Sequence, residues 1–186
     1  YQLIDAGDKI AIGISGGKDS LTLLYALNGL RQFYPKQFDI CAITVDLGFN
    51  NMDLSAVKQL CEQISVPYTI IPTDIGKILF ETRKESNPCS LCAKLRKGTF
   101  NARASELGCN KIAYAHHCDD IIETMLLSLF YEGRFYSFPP KTYLDRMKLT
   151  VIRPLMFVSE AEVIRFTKKY NLPVCKNTCP ADGHTK

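Results

Sequence analysis

A three-layer α/β/α fold around a mainly parallel, five-stranded sheet is what this sequence predicts. Two observations carry the prediction. Five short apolar runs rich in β-branched residues alternate with stretches of helical periodicity, and such alternation makes βαβ units whose helices cover both faces of a parallel sheet. Three of these runs end in polar turns marked by glycine or histidine, and in open sheets of this kind ligands sit beyond the carboxyl ends of the strands.

The elements follow in order. "KIAIGIS" (9–15) is the first strand, followed by a helix over 19–33; "DICAITVD" (39–46) is the second, followed by a helix over 53–65. "YTIIP" (68–72) is the third, with helical patterns over 74–85 and 88–107 behind it. "KIAYAH" (111–116) precedes a helix over 120–132, and "LTVIRPL" (149–155) precedes one over 159–170. In "YEGRFYSFPPKTYLDRMK" one glycine and two prolines interrupt every pattern, which predicts a surface loop. The 186 residues suffice for a single domain with a substantial core, here with an inserted helix over 88–107 and a cysteine-bearing tail over 171–186.

Composition excludes little. At 46% hydrophobic and 23% charged the chain is ordinary globular protein, and a net charge of +4 permits a nucleic-acid partner without requiring one. Eight cysteines in a regular α/β pattern point to cytoplasmic thiols with a metal or redox task rather than to a secreted disulfide scaffold. No apolar run reaches the length of a membrane span, and no signal peptide is visible.

Chemistry is concentrated in three stretches. In "SGGKDS", Gly16 and Gly17 let the backbone approach an anion, and Asp19 and Ser20 open a helix whose free N–H groups suit a phosphate. Lys18 adds a point charge, and Ser15 and Ser20 add hydroxyl donors. The bland alternative is a tight strand–helix turn with Asp19 or Ser20 as N-cap. "HHCDDIIET" leaves the fourth strand; Asp120 and Glu123 fit a capping box, while carboxylates beside a phosphate site suit Mg²⁺ with retained waters. In "NPCSLC", Asn87 caps a helix that starts at Pro88, so Cys89 and Cys92 share its first face, where the helix N-terminus favours thiolates ready to bind metal. The tail "LPVCKNTCPADG" brings Cys175 and Cys179. Cys41, Cys61 and Cys109 lie in apolar or helical contexts and read as inert core residues. Lys94, Arg96, Lys97 and Arg103 follow the C-x-x-C without an intervening acid. Arg134, Lys141, Arg146 and Lys148 alternate with Phe135, Tyr136, Phe138 and Tyr143. Both are either solvated surface or an RNA track, the rings stacking on bases or pinning the loop to the core.

"SGGKDS" resembles the PP-loop of the ATP-pyrophosphatase superfamily. The ordered set "SGGKDS", "CSLC", "HHCDDIIET", "FPPK", "VIRPL" and a late cysteine resembles the tRNA 2-thiocytidine synthetase family, from about Ala6 to Lys186. The resemblance implies ATP held by Ser15, Gly16, Gly17, Lys18, Asp19 and Ser20, with Asp46 and Gly48 near the adenosine and His116, His117, Asp119, Asp120, Glu123 and Thr124 lining the site. Lys18, Asp19, Asp119 and Asp120 are the implied catalytic residues, with Mg²⁺ as metal. The implied reaction adenylates the C2 oxygen of an anticodon-loop cytidine, cytidine 32, and replaces it with sulfur from a [4Fe-4S] cluster. Cys89 and Cys92 map onto two cluster ligands; Cys179 is preferred over Cys175 as the third. The same resemblance implies tRNA and a sulfur donor such as a cysteine desulfurase as partners, a possible homodimer, and longer ends than this chain carries. Another tRNA base as target, an ATP-binding protein with a structural zinc at the cysteines, and an adenylating ligase that needs no metal there are the competing readings.

Overall fold

A computed structural model describes residues 1–49, 53–82, 88–175 and 179–180. In chain order the elements are β1 (Lys9–Gly13), α1 (Lys18–Arg31), β2 (Asp39–Asp46), α2 (Ser55–Gln63), β3 (Tyr68–Pro72), α3 (Ile75–Lys77), α4 (Pro88–Glu106), β4 (Lys111–Ala113), α5 (Cys118–Glu132), β5 (Lys141–Leu144), β6 (Leu149–Ile152) and α6 (Glu160–Lys169). The helix expected over 74–85 is α3 running into a π-helical turn, Ile78–Thr82.

The sheet runs β3-β2-β1-β4-β6-β5 and has six strands, not the expected five. β1 to β4 and β6 are parallel; the extra strand, β5, pairs antiparallel with β6. It lies inside the stretch expected to be irregular. Pro139 and Pro140 precede it rather than interrupt it, and an edge strand tolerates the imperfect ladder that follows two prolines.

Alternation along β1 divides the core. Ile10 and Ile12 face α1, with Leu21, Leu24 and Val57 in the same cluster, while Ala11 faces Cys41, Ile43, Phe100 and Ala104 on the α4 side. Cys41, Cys61 and Cys109 are buried, as expected. Cys41 Sγ and Cys109 Sγ touch at 3.5 Å, and burial pushes the Cys61 thiol up to about 11. α5 is different: Ser128 is its one buried residue among those described, and Leu127, Phe130 and Tyr131 are largely exposed. No helix among the described residues is long and apolar enough to cross a membrane.

Candidate functional site

The carboxyl ends of β1, β2, β4 and β6 surround one cavity of about 620 Å³. Its walls come from Ser15, Gly17, Asp19 and Ser20 after β1, Thr44, Val45, Leu47 and Phe49 along and after β2, Tyr114, His116 and Asp120 after β4, and Arg153 after β6. Ala93, Arg96, Lys97 and Phe100 of α4 close the opposite side, and Cys175 and Cys179 complete the rim.

The glycine loop is built by its own hydroxyls. Ser15 Oγ accepts from Gly17 N (3.3 Å) and lies 3.2 Å from Ser20 Oγ, which donates to the Gly17 carbonyl at 3.0 Å. Gly17, rather than Asp19 or Ser20, is the N-cap of α1. Without a side-chain cap, the first N–H groups of the helix stay open to an anion. Gly16 has φ +82°, and a Cβ there would meet the Cys175 Cβ at 3.0 Å. Gly16 thus forms the back of the loop, and its carbonyl accepts from Cys175 N at 2.9 Å.

Lys18 is committed elsewhere. Its Nζ pairs with Asp19 Oδ1 (3.1 Å) and with Glu160 Oε1 of α6 (2.9 Å). Burial works against the ammonium charge, but its bonds to Glu160 and Asp19 outweigh it and hold its pKa above the ordinary lysine range. A phosphate on the loop must take Lys18 from Glu160. Glu160→Gln is therefore expected to tighten ATP or pyrophosphate binding by roughly threefold, the scale of a partly exposed ion pair, measured by calorimetry. Unchanged or weaker binding would show that Lys18 serves the phosphate without leaving Glu160.

The turn after β4 has its own logic. His117, not Asp120, is the N-cap of α5; Asp120, at the third helical position, accepts from His117 N at 2.8 Å. His117 is buried, with Nε2 at 3.8 Å from Asp19 Oδ1. Asp19 Oδ1 is itself buried without a hydrogen bond. Asp119 turns away from the cavity and accepts from Glu160 N at 2.7 Å, capping α6. Thr124 donates to the Asp120 carbonyl, and Glu123 is exposed. After β2, Asp46 and Gly48 build a turn instead of lining the cavity: Asp46 Oδ1 accepts from Gly48 N, and Gly48 (φ +77°) passes so near Thr73 that a Cβ would lie 2.6 Å from its carbonyl oxygen. Their neighbours Leu47 and Phe49 face the cavity.

The cysteines separate. Cys92 interacts electrostatically with Cys179 and Cys89, whereas Cys175 Sγ donates to the Asp53 carbonyl at 3.3 Å. Cys92 lies above the ordinary cysteine range, not below it as a helix N-terminus alone would favour. Burial pushes its thiol up, Arg96 one turn on opposes this, and the two neighbouring thiols add to the rise. Asn87 lies outside the described residues. Among the described residues no three Cys, His, Asp or Glu side chains gather closely enough to hold a single metal ion.

Tyr114 and Arg153 were not expected at the site, and in the "VDLGF" turn, expected near the adenosine, Leu47 and Phe49 line it in place of Asp46 and Gly48. Each sits at or just past a strand's carboxyl end, and a polar residue closing an apolar run, as in "KIAYAH" and "VIRPL", was the available signal. Of the loop aromatics, Phe138 packs inward while Phe135, Tyr136 and Tyr143 are exposed.

Comparison with known proteins agrees with this geometry. The tRNA-cytidine(32) 2-sulfurtransferase of Geobacter sulfurreducens is 39% identical over 184 residues, covering 98% of this chain and 72% of that protein. Its counterpart in Pelobacter propionicus is 38% identical over 186 residues, 100% of this chain and 69% of that one. Among solved structures, the U34-tRNA thiolase NcsA from Methanococcus maripaludis with its [4Fe-4S] cluster superposes with a TM-score of 0.78 at 27% identity, covering 97% of this chain and 62% of that chain. The NH3-dependent NAD synthetase of Campylobacter jejuni shares the fold alone, with a TM-score of 0.57 at 18% identity over 92% of this chain and 67% of that one. The model of the PP-loop domain matches residues 2–181. An uncapped glycine loop after β1, a parallel sheet around one cavity and a match over nearly the whole chain lead to one conclusion: this chain belongs to the PP-loop domain family.

Proposed function

We propose that the chain is an ATP-dependent tRNA thiolase that replaces the C2 oxygen of an anticodon-loop cytidine, cytidine 32, with sulfur. One observation carries the reading: the phosphate loop and the rim cysteines Cys175 and Cys179 open on the same cavity, with the C-x-x-C helix forming its far wall. Adenylating one atom of a base and then bringing sulfur to the adjacent carbon needs both ends within reach of that base. A base stacked in a duplex reaches neither, which favours an unpaired loop nucleotide.

ATP lies with its phosphates on Ser15–Ser20. The cytidine C2 oxygen attacks the α-phosphorus, and the bond to pyrophosphate breaks. Sulfur at the oxidation level of sulfide then attacks C2, and AMP departs with the original oxygen. Lys18 and Arg96 offset the phosphate charge. Asp19, whose buried Oδ1 makes no hydrogen bond and has Lys18 as its ion-pair neighbour, and Asp120 suit Mg²⁺ that keeps most of its waters. Cys89, Cys92 and Cys179 are the proposed cluster ligands. Cys89 and Cys179 are the thiols that interact with Cys92, and three thiolates would leave one iron of a four-iron cluster free. Such a [4Fe-4S] cluster, when bound, supplies an iron on which sulfur is carried. A sulfur donor such as a cysteine desulfurase and pairing of two copies complete the reading; the apolar outer face of α5 offers surface for the latter.

Anaerobically reconstituted protein, given ATP, Mg²⁺, tRNA and sulfide, is expected to release one pyrophosphate and one AMP per 2-thiocytidine. ATP binding with no tRNA-dependent pyrophosphate release would leave a nucleotide-binding protein with a structural metal.

A further inference from the structure

Beyond the PP-loop, the cavity has a corner whose polar atoms lack partners. Arg153 Nη1 donates to the Pro139 carbonyl at 2.6 Å and lies 3.3 Å from Thr142 Oγ1. Its guanidinium lies over the Phe138 ring, 4.8 Å from the centroid, and that ring packs on His116 with centroids 4.7 Å apart. Both Arg153 and His116 line the cavity, yet Arg153 Nε and His116 Nδ1 are buried with no hydrogen-bond partner. Buried orphans of this kind call for a ligand, because each leaves the cost of its desolvation unrecovered.

The sheet order says which part of the substrate reaches them. With neighbouring strands about 4.8 Å apart, the order β2-β1-β4-β6 sets Leu47 and Phe49, the phosphate loop, His116 and then Arg153 in a row along the carboxyl edge. If the α-phosphate stands over β1 and the adenosine over β2, the acceptor base stands over β4 and β6. The corner is also aromatic, with Tyr114, His116 and Phe138 in sequential ring contact, which suits a planar heterocycle better than a second phosphate.

We infer that Arg153, braced by Phe138, is the residue that selects cytosine over uracil at the thiolated position. The inference rests on the proposed function and deepens it. With Nη1 committed to β5 and the segment before it, the edge left for a ligand is Nε–Nη2, two parallel donors and no acceptor, with Nε buried and without a hydrogen bond. Cytosine offers the adjacent acceptors O2 and N3 to such an edge. Uracil interrupts the pattern with N3–H, so a donor meets a donor. Burial first, and the nearby Arg153 charge second, lower the His116 pKa and keep it neutral beside the base.

The test uses two tRNA substrates differing only in cytidine or uridine at the target position, with the whole chain, reconstituted and given ATP. Arg153→Gln, which carries both a donor and an acceptor, and Arg153→Lys, which keeps the charge without the fork, are compared with the parent. The expected result is a roughly 10- to 100-fold loss in kcat/KM for cytidine, the scale of one bidentate base contact. The cytidine-to-uridine ratio falls by a similar factor, most in Arg153→Gln, while ATP affinity is unchanged. Circular dichroism confirms the fold of each variant. Two results overturn the inference alone: an unaltered cytidine-to-uridine ratio, or weakened ATP binding with the ratio intact, which would make Arg153 a phosphate ligand. A parent protein that thiolates neither tRNA overturns both the inference and the function beneath it.

Discussion

Cys92→Ser is expected to abolish thiolation to background and to leave ATP binding within about twofold. Cys92 is half-buried at the base of α4, against the cluster that contains Phe100 and Ala104. Serine is close in size, so the helix keeps its seat while the thiolate is lost. The decisive readout is not activity but iron and acid-labile sulfide after anaerobic reconstitution: about four of each in the parent, near none in the variant, as a cubane cluster requires. Because burial raises the Cys92 thiol above the ordinary cysteine range, the ligating thiolate gains population as pH rises. Reconstitution is therefore expected to be faster at pH 8.5 than at pH 7. Cys179→Ser is expected to lose iron as Cys92→Ser does, and Cys175→Ser to retain it, since Cys175 packs on Gly16 and bonds to the Asp53 carbonyl. Iron lost from Cys175→Ser but kept in Cys179→Ser would reverse the third-ligand assignment. One tight zinc without sulfide in the parent would remove the cluster from the mechanism.

What the sequence made legible was whatever is written locally. Runs such as "DICAITVD" announce buried parallel strands because both of their faces are covered, and all five expected strands are present, three of them shorter at the carboxyl end. Those missing residues are informative. Ile14, Ser15, Tyr114 and Arg153 leave the ladder to line or approach the cavity, so the strand ends where the site begins. The glycine loop was equally plain, because φ +82° at Gly16 is a property the residue type advertises.

Other features depend on partners distant in sequence and were not visible. Asp119 reads as an active-site carboxylate until α6 is known to start beside it and donate its first N–H. Lys18 reads as a free cation until Glu160 arrives from the same helix. β5 is four residues long behind two prolines and exists through pairing with β6. Arg153 reads as the end of an apolar run, and its importance comes from Phe138 and Pro139, supplied by a loop that looked structureless.

Lys111→Met is expected to cost about 3–5 kcal/mol of stability, lowering Tm by roughly 10 °C or more for a chain of this size. Lys111 opens β4 at the end of the sheet opposite the site, and its side chain is only 6% exposed. Its Nζ lies 2.6 Å from Asp8 Oδ2 and 3.0 Å from Asp5 Oδ2, and donates to the Leu3 carbonyl at 2.9 Å. One ammonium thus fastens residues 3–8 to the sheet. Methionine fills the space but leaves Asp8, with a side chain 4% exposed, as a buried carboxylate without its counter-charge, accepting from Asp5 N and Asn110 Nδ2. The double variant Lys111→Met/Asp8→Asn removes that charge and is expected to recover much of the loss; failure to recover would mean that the contact to Leu3, not the ion pair, holds the segment. The pH dependence has a definite sign at each end. Hydrogen bonds from Lys111 and then Lys36 lower Asp5 to about 2, so its contribution is complete above the unfolded value of 3.8 and fades as pH falls through about 2. Burial opposes the Lys111 charge, but its bonds to Asp8 and Asp5 prevail and raise its pKa above 10.5. Its contribution is complete below pH 10.5 and is lost as pH rises through the higher folded value. Thermal melts of the parent are therefore expected to weaken at both extremes, and those of Lys111→Met to lose the alkaline part of that dependence. Since the segment is remote from the cavity, ATP affinity per folded molecule stays at the parent value, which separates a stability defect from a site defect.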